Sequence, residues 1–390
     1  MARRITTEER RARLALRHRL ADDTRAGNPV EVAANLVGLH SSDPATVFLA
    51  VMARMRAPSV AAVEASLYDE RTLVRIHGMR RTMWVLPLEL AAVVQAACTD
   101  GIALRERRRL EKLLADSGIP DGSAWLEGVA HDTLEVLAAQ GEAAGAELSR
   151  AVPALSTALN YGEGKWRGEQ PATSRVLFQL AAEGRIIRGR PRGSWTSSQY
   201  RWVPFDAWLP GGLTEWPVEA AQAELARRWL AAFGPATVAD LKWWTGWTLG
   251  ETRRALAETG PVEVELDGGP GLVLADDVEP VRAPDPWVAL LPGLDPTAMG
   301  WKQRDWYLGE HAPLLFDTNG NVGPTVWSDG RIVGGWGQRK NGEVVYRLLE
   351  DIGADAAAAA DLAAATLHEQ LGATRVTTRF ATPLERELVA

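Results

Sequence analysis

Between Val218 and Asp276 the chain spells out one structural unit with little room for another reading. "VEAAQAELARRWLAAFG" has the apolar spacing of a helix, and "ATVADLKWWTG" predicts a second, opened by a capping box from Thr237 to Asp240. Gly246 supplies the turn, "LGETRRALAETG" reads as a recognition-type helix, and "VEVELDGGPGLVLAD" closes as a hairpin around Gly268-Gly269. Helix, helix, glycine turn, helix and ribbon is the layout of a winged helix-turn-helix.

Two looser copies precede it. The first runs from "ITTEERRARLALRHRLADD", with a capping box from Thr6 to Glu9, through "PVEVAANLV", "DPATVFLAVMARM" and "SVAAVEASLYDE". It ends in the strand-like runs "TLVRIH" and "RTMWVLP". The second follows helical sequence from Leu88 to about Ala138. It contains "GAELSRAVPALSTAL", the helix "PATSRVLFQLAAEG" ending at Gly184, and the ribbon "RIIRGRPRGSWTSSQYRWVP". From Asp285 the texture changes to strands joined by Gly/Asn/Asp turns, then a helix over Ala354 to Leu371 and a strand-like "ATRVTTRF". The expected fold is α+β, predominantly helical: three tandem winged helix-turn-helix units plus a C-terminal β-rich module. The expected boundaries are 1–90, 91–210 with a helical linker, 211–280 and 281–390, within the domain number that 390 residues allow.

Composition narrows the function classes. The lone cysteine, Cys98, excludes an internal disulfide and fits a reducing cytosol. No apolar run reaches membrane-span length, since Asp361 interrupts the alanine-rich tail. No Cys/His spacing suits a metal, and "GGPG" and "VGGWG" are turn and strand glycines, so neither metal nor cofactor is expected. The expectation is a soluble, cytoplasmic monomer. A net charge of −7 argues mildly against nucleic acid, but the distribution of charge matters more than its sum.

Positive charge gathers where a wing is expected. From 185 to 201 the chain carries Arg185, Arg188, Arg190, Arg192 and Arg201 with no acidic residue, and Trp195 near the hairpin tip. Such a tip can contact a phosphate backbone; alternatively its arginines only block edge-to-edge pairing. The phosphate reading is preferred, because cations without counter-charges repel unless a polyanion is present. Arg80 and Arg81 on the first ribbon, and Arg253 and Arg254 on the third recognition helix, are further DNA-contact candidates. Arg10, Arg11 and Arg13, like "RERRRLEKLL" from Arg105, read as solvated surface.

The chemical candidates lie in "NLVGLHSSDPATVF". Gly38 permits a turn, while Asp43 and Pro44 start a helix. His40, Ser41 and Ser42 exceed what that punctuation requires. In an extended segment, residues i and i+2 face the same way, which pairs His40 with Ser42 and turns Ser41 and Asp43 opposite. A lone histidine in a polar turn also fits a purely structural role; His77, before Gly78, is expected to be exposed.

"LVGLHSSDPATVFLAVMAR", "IHGMRRTMWVLP" and "VALLPGLDPTAMGWKQRDW" together resemble the winged-helix DNA glycosylases of the AlkZ and YcaQ type. The likeness extends over nearly the whole chain by element order. In that family a Gly-Leu is followed by a Gln-apolar-Gln or Gln-apolar-Asp triplet; here His40, Ser41 and Ser42 stand in its place. The resemblance implies tandem winged helices forming a cradle for duplex DNA. It also implies hydrolysis of the N-glycosidic bond of alkylated or crosslinked purines, with no metal and no lyase step. Such chemistry needs a water held at the anomeric carbon and tolerance of an oxocarbenium-like sugar. His40 is then the candidate to accept the water's proton near neutral pH, with Ser42 holding the water. Asp43 is first a helix cap and, if the chain bends, a stabiliser of the sugar cation. The rivals are a DNA-binding protein without catalysis and a scaffold whose wings bind protein.

Overall fold

The computed structural model describes residues 3–161 and 168–390. Helix outweighs strand, 49% against 19%, as a predominantly helical α+β chain requires. Strands fall into three small three-stranded sheets, a two-stranded ribbon and one four-stranded sheet.

In the first sheet Met83–Pro87 is central, flanked by Leu39–His40 and Leu73–His77. In the second, Tyr200–Pro204 lies between Ala143–Ala144 and Ile186–Pro191. In the third, Val262–Leu266 pairs antiparallel with Gly269–Val273 and parallel with Arg3–Arg4. Each sheet follows a group of helices. The best-specified group is the one its sequence marks most clearly. Thr237 Oγ1 accepts from the Asp240 N–H at 3.1 Å while Asp240 Oδ2 accepts from the Thr237 N–H at 3.0 Å. Val238–Thr245 then stops at Gly246, whose φ of +79° is left-handed. A second reciprocal box, Thr248 with Glu251, opens Leu249–Glu258.

The C-terminal sheet is an antiparallel run of Val288–Leu291, Thr325–Ser328, Arg331–Gln338 and Val344–Leu348. Helix Ala354–Leu371 forms as expected. The following "ATRVTTRF" is not a strand: it is irregular chain that crosses to the first sheet. Alternation of polar and apolar residues signalled a strand, but its backbone donors go to Gln338 and Asp43 side chains instead of a ladder.

The principal core runs from Leu14 to Leu384 and joins the first, third and C-terminal parts; a second core lies between Leu110 and Trp202. Tryptophan is abundant because it fills this principal core: Trp84 meets Trp244 edge-on at 5.5 Å, and Phe233 meets Trp301 at 5.1 Å. A fully buried ion pair, Arg54 with Asp295 at 2.7 Å, ties the first part to the C-terminal one. Asp295 also accepts from the Thr297 N–H, capping a turn while holding the ion pair.

Two surface expectations fail for a common reason. Arg10 and Arg13 are buried: Arg13 is gripped by Glu9 and Asp277, so Glu9 serves the arginines instead of completing the Thr6 capping box. In "RERRRLEKLL", Glu106 is buried and binds Arg81 and Arg109. Charged side chains that looked solvated are engaged by groups far away in sequence: Asp277 for Arg13, Arg81 for Glu106, and Pro235 O with the Trp306 ring for Arg10.

Candidate active site

Gly38 adopts φ +102°, and a Cβ there would come within 2.4 Å of the Leu86 side chain. The residue therefore lets the chain press against the first sheet, where His40 pairs with Trp84 and the Ser41 N–H donates to Met83 O at 2.7 Å. The strand ends at His40, and the chain bends at Ser42 and Asp43 before Pro44 starts the next helix. The Ser41 hydroxyl accepts from Arg75 Nε at 2.8 Å. Asp43 Oδ1 accepts from the Ala45 N–H at 3.0 Å, and Oδ2 from the Arg379 N–H at 3.0 Å. His40 and Ser42 line one cavity of 380 Å³, and Ser42 also borders the cavity that Ser41 lines.

His40 is only 4% exposed and stands edge-on to Trp84 at 5.2 Å. Burial, aided by the charge of Arg80, pushes its pKa down to about 3. The imidazole is thus neutral at physiological pH and a weaker proton acceptor than an ordinary histidine. Its Nδ1 faces the Ser42 N–H at 3.5 Å, a long contact that orients the ring relative to Ser42.

The rest of the cavity wall combines cationic and aromatic side chains with Thr82, Met299, Asn319 and Asn321. Arg80 and Arg304 lie over Trp243 at 4.1 and 4.8 Å, with Lys302 and Phe380 beside them. Arg80 holds a left-handed backbone, φ 55° and ψ 31°, an unfavourable state for a side-chain-bearing residue that places its guanidinium over the indole. On the other side of Ser42 lies a second cavity of 580 Å³, walled by Ser41, Arg188, Arg192, Tyr200, Trp202 and Arg379. Arg379 also donates to Ser42 O at 3.2 Å, so the irregular C-terminal segment fastens the triplet in place.

Residues 33–373 match the model of the family described as DNA glycosylase AlkZ-like. The chain belongs to the AlkZ-like DNA glycosylases. An interstrand DNA cross-link repair glycosylase of Streptomyces sahachiroi is 31% identical over 173 residues, which is 41% of this chain and 45% of that protein. The match therefore spans less than half the length of that relative. The solved structure of the Streptomyces sahachiroi DNA glycosylase AlkZ is similar across 97% of this chain and 100% of its own, with a TM-score of 0.73 at 20% identity. That likeness shows a shared fold.

Within this AlkZ-like frame the predicted DNA-contact residues divide into two groups. Arg185 pairs with Glu127 and Glu183, Arg190 with Asp69, Arg192 with Glu147, Arg201 with Glu142, and Arg81 with Glu106. The counter-charges missing from the local sequence come from other elements. The pairs of Arg185, Arg190, Arg192 and Arg201 sit at the surface, where each is worth about 0–1 kcal/mol, so a phosphate can replace the carboxylate at little cost, whereas Arg81 is held by the buried Glu106. Arg80 and Arg188 instead have no carboxylate partner among the described residues; burial lowers both pKa values to about 10. Arg253 and Arg254 are exposed on Leu249–Glu258, as expected. Trp195 is not at a free tip: it is 8% exposed and packs on Phe48 at 5.1 Å. His77 is buried against Phe178 at 4.3 Å, not exposed, with its pKa pushed down to about 3 by burial. Sequence reasoning missed Arg75, Tyr200, Trp243, Lys302, Arg304, Arg379 and Phe380. Only Arg75 left a trace, an arginine inside an otherwise apolar strand run.

No described helix is long and apolar enough to cross a membrane.

Proposed function

We propose that the chain is a monofunctional DNA N-glycosylase that releases bulky or crosslinked alkylated purines from duplex DNA. The observation that carries this reading is that His40 and Ser42, at the family's triplet position, open onto one cavity walled by cations. The arrangement of helices and three-stranded sheets supports three tandem winged helix-turn-helix units over 1–90, 91–210 and 211–280, followed by a module over 281–390. The partner is duplex DNA, bound by a monomer, and the working place is the nucleoid.

An N7- or N3-alkylated purine leaves as a neutral base when the C1′–N bond breaks, so no strong general acid is required. The oxocarbenium-like sugar that remains is captured by water, with formation of a C1′–O bond and loss of a proton to solvent. Positioning is therefore the main task of the protein. The Ser42 hydroxyl both donates and accepts, and holds the water. Neutral His40 is a fixed dipole beside it, fitted to orient the water and not to store its proton. Asp43 is a positioning residue: each carboxylate oxygen is engaged by a backbone N–H, which fixes the turn that presents Ser42.

Incubation with duplex DNA alkylated at purine N7, or crosslinked there, tests the reading through free base and abasic sites. His40→Ala and Ser42→Ala are expected to bind as the wild type does and to release base at least tenfold more slowly. A second reading, DNA binding without catalysis, is favoured by the replacement of both polar triplet positions. Wild-type protein that releases no base from any alkylated or crosslinked duplex establishes that second reading instead.

A further inference from the structure

The two cavities that meet at Ser42 share an unusual construction. In the smaller, Arg80 and Arg304 stack on Trp243. In the larger, Arg188 lies over Tyr200 at 5.4 Å, and the buried Arg75, which is not part of the lining, stacks on the same ring at 4.5 Å. Among the described residues no acidic side chain lines either cavity. Each also holds or backs onto polar atoms left without a partner: Arg80 Nε at the first; Arg75 Nη2 and the Tyr200 hydroxyl at the second. Tyr200 is only 8% exposed and Arg75 only 3%. A buried guanidinium needs a counter-charge, and the face of an aromatic ring compensates only part of its lost hydration. Two such stacks beside one serine are therefore incomplete as they stand, and the missing component is anionic.

We propose that these cavities are seats for two successive backbone phosphates, the ones 5′ and 3′ of the target nucleotide. This inference rests on the glycosylase reading and adds a register to it. Ser42 is the residue common to both linings, and Arg379 with Phe380 divides them, Arg379 facing the larger and Phe380 the smaller. Consecutive phosphates of one strand flank a single deoxyribose. Seating one on each side brings that sugar over Ser42, where the water is held. Arg192 at the rim of the larger seat and Lys302 at that of the smaller complete the two cation sets. The Arg192–Glu147 pair, 2.8 Å long and with the arginine 54% exposed, exchanges readily for a phosphate oxygen.

The test is equilibrium binding to a duplex containing one tetrahydrofuran abasic-site analogue, which has no glycosidic bond and cannot turn over. A neutral methylphosphonate replaces one phosphate at a time along the analogue strand. For wild type, neutralising either phosphate adjacent to the analogue is expected to weaken binding on the order of tenfold, and other positions less. Arg192→Gln, in an exposed side chain that leaves the fold intact, is expected to lose the sensitivity at one of these positions. Lys302→Gln is expected to lose it at the other. Each variant should also lower the slope of log K against log salt by about one. If both variants keep the wild-type sensitivity at both positions, or the sensitive positions are not the two flanking the analogue, the inference is overturned while DNA binding stands. If the wild type binds no duplex at all, the inference and the DNA reading fall together.

Discussion

Lowering the pH separates two mechanisms that substitution of His40 alone would confuse. A histidine acting as a proton acceptor with the ordinary pKa near 6.5 is roughly 97% protonated at pH 5, and base release would fall roughly thirtyfold between pH 8 and pH 5. His40 is buried beside Arg80 and titrates at about 3, so at pH 5 only roughly 1% of it carries a proton. The substrate is an adenine alkylated at N3 or N7, which has no N1–H to lose and stays cationic across this range, whereas an N7-alkylguanine sheds its N1 proton near neutrality and adds a titration of its own. The expected result is a rate of base release, under single-turnover conditions, that is flat within about twofold from pH 8 to pH 5.5. The assay is quenched release of the labelled base, with tryptophan fluorescence reporting that the protein remains folded at each pH. A midpoint between pH 6 and 7 in wild type, absent from His40→Gln, would refute the neutral-dipole role and restore His40 as a base.

The same burial has a consequence for stability. His18, His40 and His77 all titrate at about 3 in the folded state, below the unfolded value of 6.5. Their contribution is therefore complete above pH 6.5 and is lost as the pH falls toward 3, together about 4 kcal/mol between pH 7.5 and 5.5. Urea unfolding at those two pH values measures it, and a loss below about 1 kcal/mol contradicts the shifts. Asp295→Asn strands the buried Arg54 guanidinium and should cost about 3–5 kcal/mol by the same method. Trp195→Ala should cost about 3–5 kcal/mol of stability, as deletion of a buried aromatic does. A purely salt-dependent loss of DNA affinity with unchanged melting would instead return Trp195 to the surface.

How far the sequence could be read depended on how local each signal was. Caps, glycine turns and hairpins depend on a few adjacent residues, and the Thr237–Asp240 box, the stop at Gly246 and the start at Pro44 all form where they were expected. His40 and Ser42 do meet at one cavity, but the backbone bends at Ser42 and Asp43, and Ser42 also shares a cavity with Ser41, which strict strand alternation does not give. Charge and exposure are not local. The wing from Arg185 looked uncompensated because Glu127, Asp69, Glu147 and Glu142 lie far off in sequence. His77 and Trp195 gave no sign of burial, since helices and strands from other parts of the chain cover them. Arg379 and Phe380 were hidden most deeply: their neighbourhood follows a strand-like pattern, and only the fold brings it to the triplet.

The hydrogen bond from the Arg379 backbone to Asp43 spans 336 positions. During synthesis the ribosome therefore delivers the candidate turn long before its fastener. A nascent chain that ends before Arg379 has the histidine and the serine without the clasp that holds them. The clasp on the turn can therefore close only after a further 336 positions have been added, so order at the candidate site waits on chain far downstream.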